Sequence, residues 1–520
     1  MTSKATGFLF GILFFLLLAF LPTFGAFRAA ANALIAESAV SLDPEALARS
    51  MQVVCALLSL MVVWWITEAI PLPATALLPP IVLPLFHIVG VQGASLVEFT
   101  PKNILLNYAS PVIYLFLGGF LIAAAMQKWK LDRRFTLWFL TRGNIANDTR
   151  SMLFGLMAVT ALLSMWISNT ATAAMMLPLG LGVLSFLDAK PGESRFGTAL
   201  MLGIAWSASI GGLGTIIGTP PNGIALGIMD STLGNDPSYH RITFLDWMKF
   251  GVPYVLVFLP VAWWLLLKIF PPEVTSLPGG KDRLLGERSK LAPFSAGEKG
   301  TLAVFLFAVV LWITNPFWGS LLPESLASRL TWIDEYSIGL LVGVTLFFIP
   351  TDIRKGVFLL DWKDTKFVDW GTLLLFGGGI ALSDAMFKTG LAGMIATSFV
   401  GFFGTPSTLV MIFAVVFLVD FLTEVTSNTA VTSMMVPVVI SIALRTGESP
   451  VALAVAAALA ASMAFMLPVA SPPNALVYST GYIRIKDMIK AGFWLDILGW
   501  FFTVGILVVV ANWIFGVVEF

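Results

Sequence analysis

Long apolar runs, each separated from the next by a few polar or proline-containing positions, fill most of this chain. Runs of about 20 such residues cross a bilayer as helices, and the pattern predicts several in quick succession. A first helix is expected over 7–24, a loop over 28–50, and further spans over about 51–68, 72–90 and 104–126. The stretch 127–148 sets Lys128, Lys130, Arg133 and Arg134 among Trp129, Phe135, Trp138 and Phe139, the mix of an interfacial helix lying along the membrane. Residues 151–187 offer about 17 residues on either side of Ser168-Asn169-Thr170, which predicts a re-entrant helical hairpin rather than two full spans. The next stretch, 198–229, is interrupted by Gly218-Thr219-Pro220-Pro221-Asn222, and a span over about 248–271 leads to a charged linker, 272–299.

The same order then returns. Spans over about 300–316, 337–350 and 370–387 precede a second hairpin, 407–445, built around Ser427-Asn428-Thr429. A second broken stretch, 450–480, follows with Ala470-Ser471-Pro472-Pro473-Asn474 at its break. Ser168-Asn169-Thr170-Ala171, Met175-Met176 and Pro178 recur 259 positions later as Ser427-Asn428-Thr429-Ala430, Met434-Met435 and Pro437. Gly118-Gly119 answers Gly378-Gly379, and Asp246, Lys249 and Gly251 answer Asp487, Lys490 and Gly492. An ordered series of matches marks an internal duplication. The chain divides into 1–50 (first helix and outer loop), 51–271 (first repeat), 272–299 (cytoplasmic linker) and 300–517 (second repeat). With residue 4 inside, 22 of the 30 Lys and Arg fall on the inner side, as the positive-inside rule requires. An odd number of crossings per repeat then points the two copies in opposite directions.

Composition agrees with this plan. The chain is 58% hydrophobic and 12% charged, with a mean hydropathy of +0.90, about half the charge of a soluble domain. The fold class is an all-α polytopic membrane protein: about 11 transmembrane helices, two re-entrant hairpins and two inverted-topology repeats. Its partners therefore include membrane lipid. Lys plus Arg equals Asp plus Glu at 30 each, which points to no nucleic acid or other polyanion. Cys55 stands alone, so no intramolecular disulfide is possible. Two isolated histidines, His87 and His240, argue against an enzyme. An enzyme acting on lipid anions would need a catalytic Asp/His cluster or a basic interfacial pocket, and the sequence displays neither. Lys4, the run 7–24 and Ala31-Asn32-Ala33 resemble a signal peptide, but the run is long for one, so a retained helix is expected.

The polar breaks are the candidate chemistry. Hydroxyls and amides at hydrocarbon depth are unfavourable unless they are paired or meet a ligand. Thr219 before Pro220 and Ser471 before Pro472 have the form of a helix N-cap followed by proline at N1. The residues after Thr170 and Thr429 would likewise start helices, giving four N-termini able to attract an anion. Carbonyls on the other side of each break, at Gly218 and Ala470, join Ser and Asn oxygens in cages suited to a monovalent cation. No Lys or Arg lies in the broken segments, so bound cations are expected to supply the positive charge. Glu68, Asp384, Asp420 and Glu424 are ionisable groups in or beside apolar segments, where a functional role is the default expectation. Trp64, Trp263, Trp264 and Trp370 read as interfacial anchors.

The paired Ser-Asn-Thr motifs, each followed by a Pro-Pro-Asn break, resemble those of the divalent anion/sodium symporter family. Trp65-Ile66-Thr67-Glu68-Ala69-Ile70-Pro71 and the run from Ala461 to Val477 are similar to two further family motifs. The resemblance implies sodium-coupled carriage of C4 dicarboxylates, citrate or sulfate. It maps one sodium site to Ser164, Ser168, Asn169 and the Gly218 carbonyl, and a second to Thr423, Thr426, Asn428 and the Ala470 carbonyl. Substrate carboxylates would meet Asn169, Thr170, Asn428 and Thr429, with Thr219 and Ser471 beside them. Position 471 is often threonine in dicarboxylate carriers, so its serine bears on substrate choice. The resemblance also implies a homodimer that moves its substrate-binding domain across the membrane as a body.

Overall fold

The computed structural model describes residues 3–38, 40–237, 239–277 and 279–511; the expected end of the second repeat, at 517, lies outside them. Among the described residues, eight helices are long and apolar enough to cross a membrane, or ten if two bent pairs each count as one span. Shorter apolar pieces, among them Leu72–Leu85 and Glu335–Thr345, make up the rest. The protein is a multi-pass helical membrane protein.

The amino-terminal region departs from expectation. Helix Ser3–Phe20 is followed by a second helix, Gly25–Ser38, bent from it by 61°. Asp43 caps a third, Pro44–Thr67, by accepting from the Glu45 N–H. The expected loop over 28–50 is thus mostly helical, because Arg28 pairs with Glu45 at 2.7 Å across the turn and Gln52 donates to the Leu18 carbonyl at 2.8 Å. Trp64 is buried and stacks on Phe8 at 5.3 Å instead of anchoring at an interface. The span expected over 72–90 is also corrected. Prolines 73, 79, 80 and 84 break it into Leu72–Thr75 and Pro79–Leu85, followed by an antiparallel strand pair, Val89–Gln92 and Ser95–Glu98.

Each repeat then presents the same parts. The first hairpin has a leading arm, Thr149–Ser164, and a trailing arm, Asn169–Phe186. The second has Thr408–Thr423 and Asn428–Thr446. The broken helices are Arg195–Gly212 with Pro220–Leu233, and Pro450–Ala460 with Pro472–Tyr478. Phe244–Ile269 and Ile485–Ile506 close the two repeats. The interfacial helix is Leu131–Leu140, and its counterpart, Leu391–Phe403, is apolar rather than basic and gave no separate sequence signal. Helix Pro111–Lys128 packs so closely on Glu335–Thr345 that a Cβ on Gly118 would overlap the Gly339 carbonyl. That makes this glycine a packing position.

The linker is strapped to the first repeat. It contains a helix, Gly280–Ser289. Lys281 donates to the Gly143 carbonyl at 2.9 Å, Arg288 to the Thr141 hydroxyl at 3.1 Å, and Thr149 to the Val274 carbonyl at 2.7 Å. Glu273 accepts from the Phe196 N–H at 3.1 Å, at the start of the first broken helix.

Candidate functional site

Each hairpin turns in the residues just before its tripeptide: the leading arms end at Ser164 and Thr423, and the serines, Ser168 and Ser427, are the N-caps of the trailing arms. Ser168 is the N-cap of the first trailing arm and accepts from the Ala171 N–H at 3.3 Å. The Asn169 amide then reaches back across the turn to Ser164, 2.7 Å away, while the Ser164 hydroxyl donates to the Ala208 carbonyl at 2.7 Å. With its nitrogen turned inward, the amide donates to Ser164 Oγ at 2.7 Å and to the carbonyls of Ala208 and Gly218 at 3.0 and 3.2 Å. With its oxygen inward, the same positions form a cluster of four oxygens. Gly212 makes room for this amide: a Cβ there would lie 2.5 Å from Asn169 Oδ1.

The second hairpin repeats the wiring. Thr423 stands where Ser164 stood, donating to Asn428 Oδ1 at 2.7 Å and lying 2.9 Å from the Ala461 carbonyl. The neighbouring Thr426 hydroxyl is buried with no hydrogen-bond partner, a costly arrangement at this depth.

The breaks are braced alike. Asn222 donates to the carbonyls of Gly212 and Thr215 at 3.1 and 2.8 Å, and Asn474 to those of Ala464 and Leu467 at 2.8 and 3.1 Å. Both asparagines are fully buried. Their side chains close the turn whose carbonyls a helix break leaves unpaired. Sequence reasoning used Pro-Pro-Asn as a landmark and missed this role, although the duplication of the asparagine itself was the available signal.

Both tips and both breaks face one cavity of about 1030 Å³. Ser168, Asn169, Thr170, Thr219, Thr426, Asn428, Thr429, Ala470 and Ser471 all line it. The N-caps Ser168, Thr219, Ser427 and Ser471 are among its walls, so four helix N-termini converge there as expected. Ser164, Thr423 and Gly218 are buried and do not line it. Ser164 and Thr423 bond to the asparagines at its wall, and the Gly218 carbonyl lies within reach of the Asn169 amide. No Lys, Arg or His among the described residues lines the cavity.

The model of the sodium:sulfate symporter transmembrane region matches residues 30–518. The chain belongs to the sodium:sulfate symporter family. Among curated relatives, the sodium-dependent dicarboxylate transporter SdcS of Staphylococcus saprophyticus is 37% identical over 84% of this chain and 81% of its own length. The protein of that name in Staphylococcus aureus is 35% identical over the same shares. Among solved structures, the YdaH transporter of Alcanivorax borkumensis superposes with a TM-score of 0.54 at 15% identity, covering 87% of this chain and 98% of its own. MtrF of Neisseria gonorrhoeae follows at 0.52 and 13%, covering 87% and 94%. At such identities these two share the fold.

In this family member the other ionisable candidates divide. Glu424 accepts from the N–H groups of Phe465, Met466 and Leu467 at 2.6, 2.8 and 2.9 Å, fastening the second hairpin to the second break. Asp384 pairs with Lys388 at 2.7 Å on its own helix. Asp420 is buried, and its carboxyl has no hydrogen-bond partner among the described residues. Glu68 lines the cavity and pairs with Lys4 at 3.4 Å. Asp369, at the same cavity, caps the helix Trp370–Thr389 through Thr372.

Proposed function

We propose that this protein is a secondary active symporter carrying a C4 dicarboxylate such as succinate, malate or fumarate into the cell together with sodium. The observation that carries this reading is one cavity walled by two Ser-Asn-Thr tips and four helix N-termini, with no basic side chain. No described residue lining the cavity carries a full positive charge, and the partial charge of a helix N-terminus falls off within its first turn, so a desolvated dianion still needs full counter-charges. Bound cations make up the difference. The curated relatives, named as sodium-dependent dicarboxylate transporters, support the choice of both cargoes.

Sodium is cargo here, and the residues suit it. Ser164, Ser168, Asn169 and the Gly218 carbonyl would hold the first ion; Thr423, Thr426, Asn428 and the Ala470 carbonyl would hold the second. Two observations favour the fit. The Asn169 amide can place its oxygen beside Ser164 Oγ and the Ala208 and Gly218 carbonyls, an all-oxygen cluster that a cation stabilises. Thr426 offers a buried hydroxyl that nothing else uses. Sodium binds first and holds the amide oxygens of Asn169 and Asn428 toward the ions. The two carboxylates then dock at Asn169, Thr170 and Thr219 on one side and Asn428, Thr429 and Ser471 on the other. In the orientation set by charge bias, Glu68 and Asp369 put the cavity mouth on the cytoplasmic side, the state in which cargo is released. The loaded hairpins and broken helices would cross as a body within a homodimer.

Uptake of labelled succinate into proteoliposomes tests this. A sodium gradient should drive accumulation that choline cannot, with excess malate and fumarate competing more strongly than citrate, sulfate or tartrate. Equal uptake without sodium would point to exchange, and dominant competition by sulfate or citrate would reassign the anion.

A further inference from the structure

We propose that the groove between the trailing arm of the first hairpin and the linker helix binds an anionic phospholipid, its acyl chain along the arm and its phosphate at Arg283 and Lys290. The groove has a volume of about 830 Å³, within the range of ligand pockets. One side of its apolar wall is a helical stripe, Met175, Pro178, Gly182 and Phe186, spaced to lie on one face, and Leu277 and Leu284 of the linker face it.

The duplication shows that this face normally has a cover. Of its counterparts in the second hairpin, Met434, Pro437 and Ser441 are buried and Arg445, at the helix end, is exposed, and helix Leu391–Phe403 packs against that arm. In the first hairpin the interfacial helix Leu131–Leu140 lies mainly on the leading arm and reaches the trailing arm on another face, at Met176. The trailing arm is accordingly only 28% buried, against 72% for its counterpart. An apolar helical face at membrane depth that protein does not cover is covered by lipid.

Charge selects which lipid. Arg133, Arg283 and Lys290 line the groove with one carboxylate, Glu287, which pairs with Arg133 at 3.2 Å and Lys290 at 2.6 Å. The Arg283 guanidinium lies 3.9 Å over the Phe186 ring and makes no ion pair among the described residues. The rim is net positive at the end of the arm that the charge bias places at the inner leaflet. An apolar wall under a basic rim is the arrangement that takes a phospholipid with an anionic head group.

The test is independent of what the protein carries. Purified full-length protein is equilibrated in detergent with equal amounts of phosphatidylglycerol and phosphatidylcholine of the same acyl chains, and retained lipid is read by native mass spectrometry. The wild type should prefer phosphatidylglycerol about tenfold or more. Arg283→Ala with Lys290→Ala should abolish that preference, while Arg354→Ala with Lys355→Ala, an exposed pair elsewhere, should leave it intact. Gly182→Leu keeps the charge but fills the slot, since a Cβ there meets no atom within 4 Å; it should lower retention of phosphatidylglycerol. Equal retention of the two lipids by the wild type, or a preference surviving both groove variants, overturns the proposal. So does displacement of phosphatidylglycerol by millimolar inorganic phosphate, which would make the rim a free-anion site.

Discussion

The two hairpins share their tips and differ in almost everything around them. Ser164 and Thr423 make the same bonds to Asn169 and Asn428 and to the Ala208 and Ala461 carbonyls. Asn222 and Asn474 brace the two breaks through corresponding carbonyls. The fastening between hairpin and break is different: Thr215 donates its hydroxyl to the Met165 carbonyl in the first copy, whereas Glu424 gathers three backbone N–H groups in the second. Covering differs too, with protein over one trailing arm and an open groove along the other. The two copies thus keep the same polar wiring at the cavity while their supports differ.

The strongest way to break this comparison is at the tips. Asn169→Ala and Asn428→Ala should each lower succinate uptake about a hundredfold or more, since each removes an oxygen from an ion and a donor from the substrate, worth about 3 kcal/mol. Correct insertion, checked by size-exclusion chromatography, must accompany the loss. Near-normal uptake in one variant would show that the halves are not equivalent. Next come the braces. Asn222→Ala and Asn474→Ala leave buried carbonyls unpaired at a cost of about 1–3 kcal/mol, so the sodium concentration for half-maximal uptake should rise about tenfold in both. A shift in only one would locate the coupling in one half.

The fastenings sharpen the contrast. Glu424→Gln replaces one of two oxygens that accept from three buried N–H groups with a donor and should cost about 2–3 kcal/mol, while Thr215→Val should cost about 1 kcal/mol; thermal unfolding in detergent reads the difference. The smallest effect is expected at Ser471. Ser471→Thr adds one methyl group, about 0.8 kcal/mol of apolar contact, and should change the preference for succinate over citrate by about fivefold or less in competition uptake.

Much of this was legible because polar breaks in apolar helices are rare and here occur in pairs. Ser168-Asn169-Thr170 and Ser427-Asn428-Thr429 announced both hairpins, and all the residues singled out around them lie at the cavity or directly behind it. What stayed hidden has physical causes. Prolines 73, 79, 80 and 84 sit in a run apolar enough to pass for a span, and the strand pair after it has no such break. Helix Gly25–Ser38 is weakly apolar and depends on tertiary contacts such as Arg28 with Glu45. Glu424 stood out as a charge at depth, but its partners lie about 40 positions away, beyond what local pattern can show. The open groove is invisible in sequence because the stripe Met175, Pro178, Gly182 and Phe186 looks like any buried face until its cover is found missing.

The central claim is that both tips hold sodium and that only their loading admits the dianion. Calorimetric titration of succinate into purified protein tests it most directly, in sodium and in choline, for the wild type, Asn169→Ala and Asn428→Ala. The account predicts binding to the wild type in sodium alone and none to either variant. Binding in choline, or wild-type affinity in either variant, would contradict it.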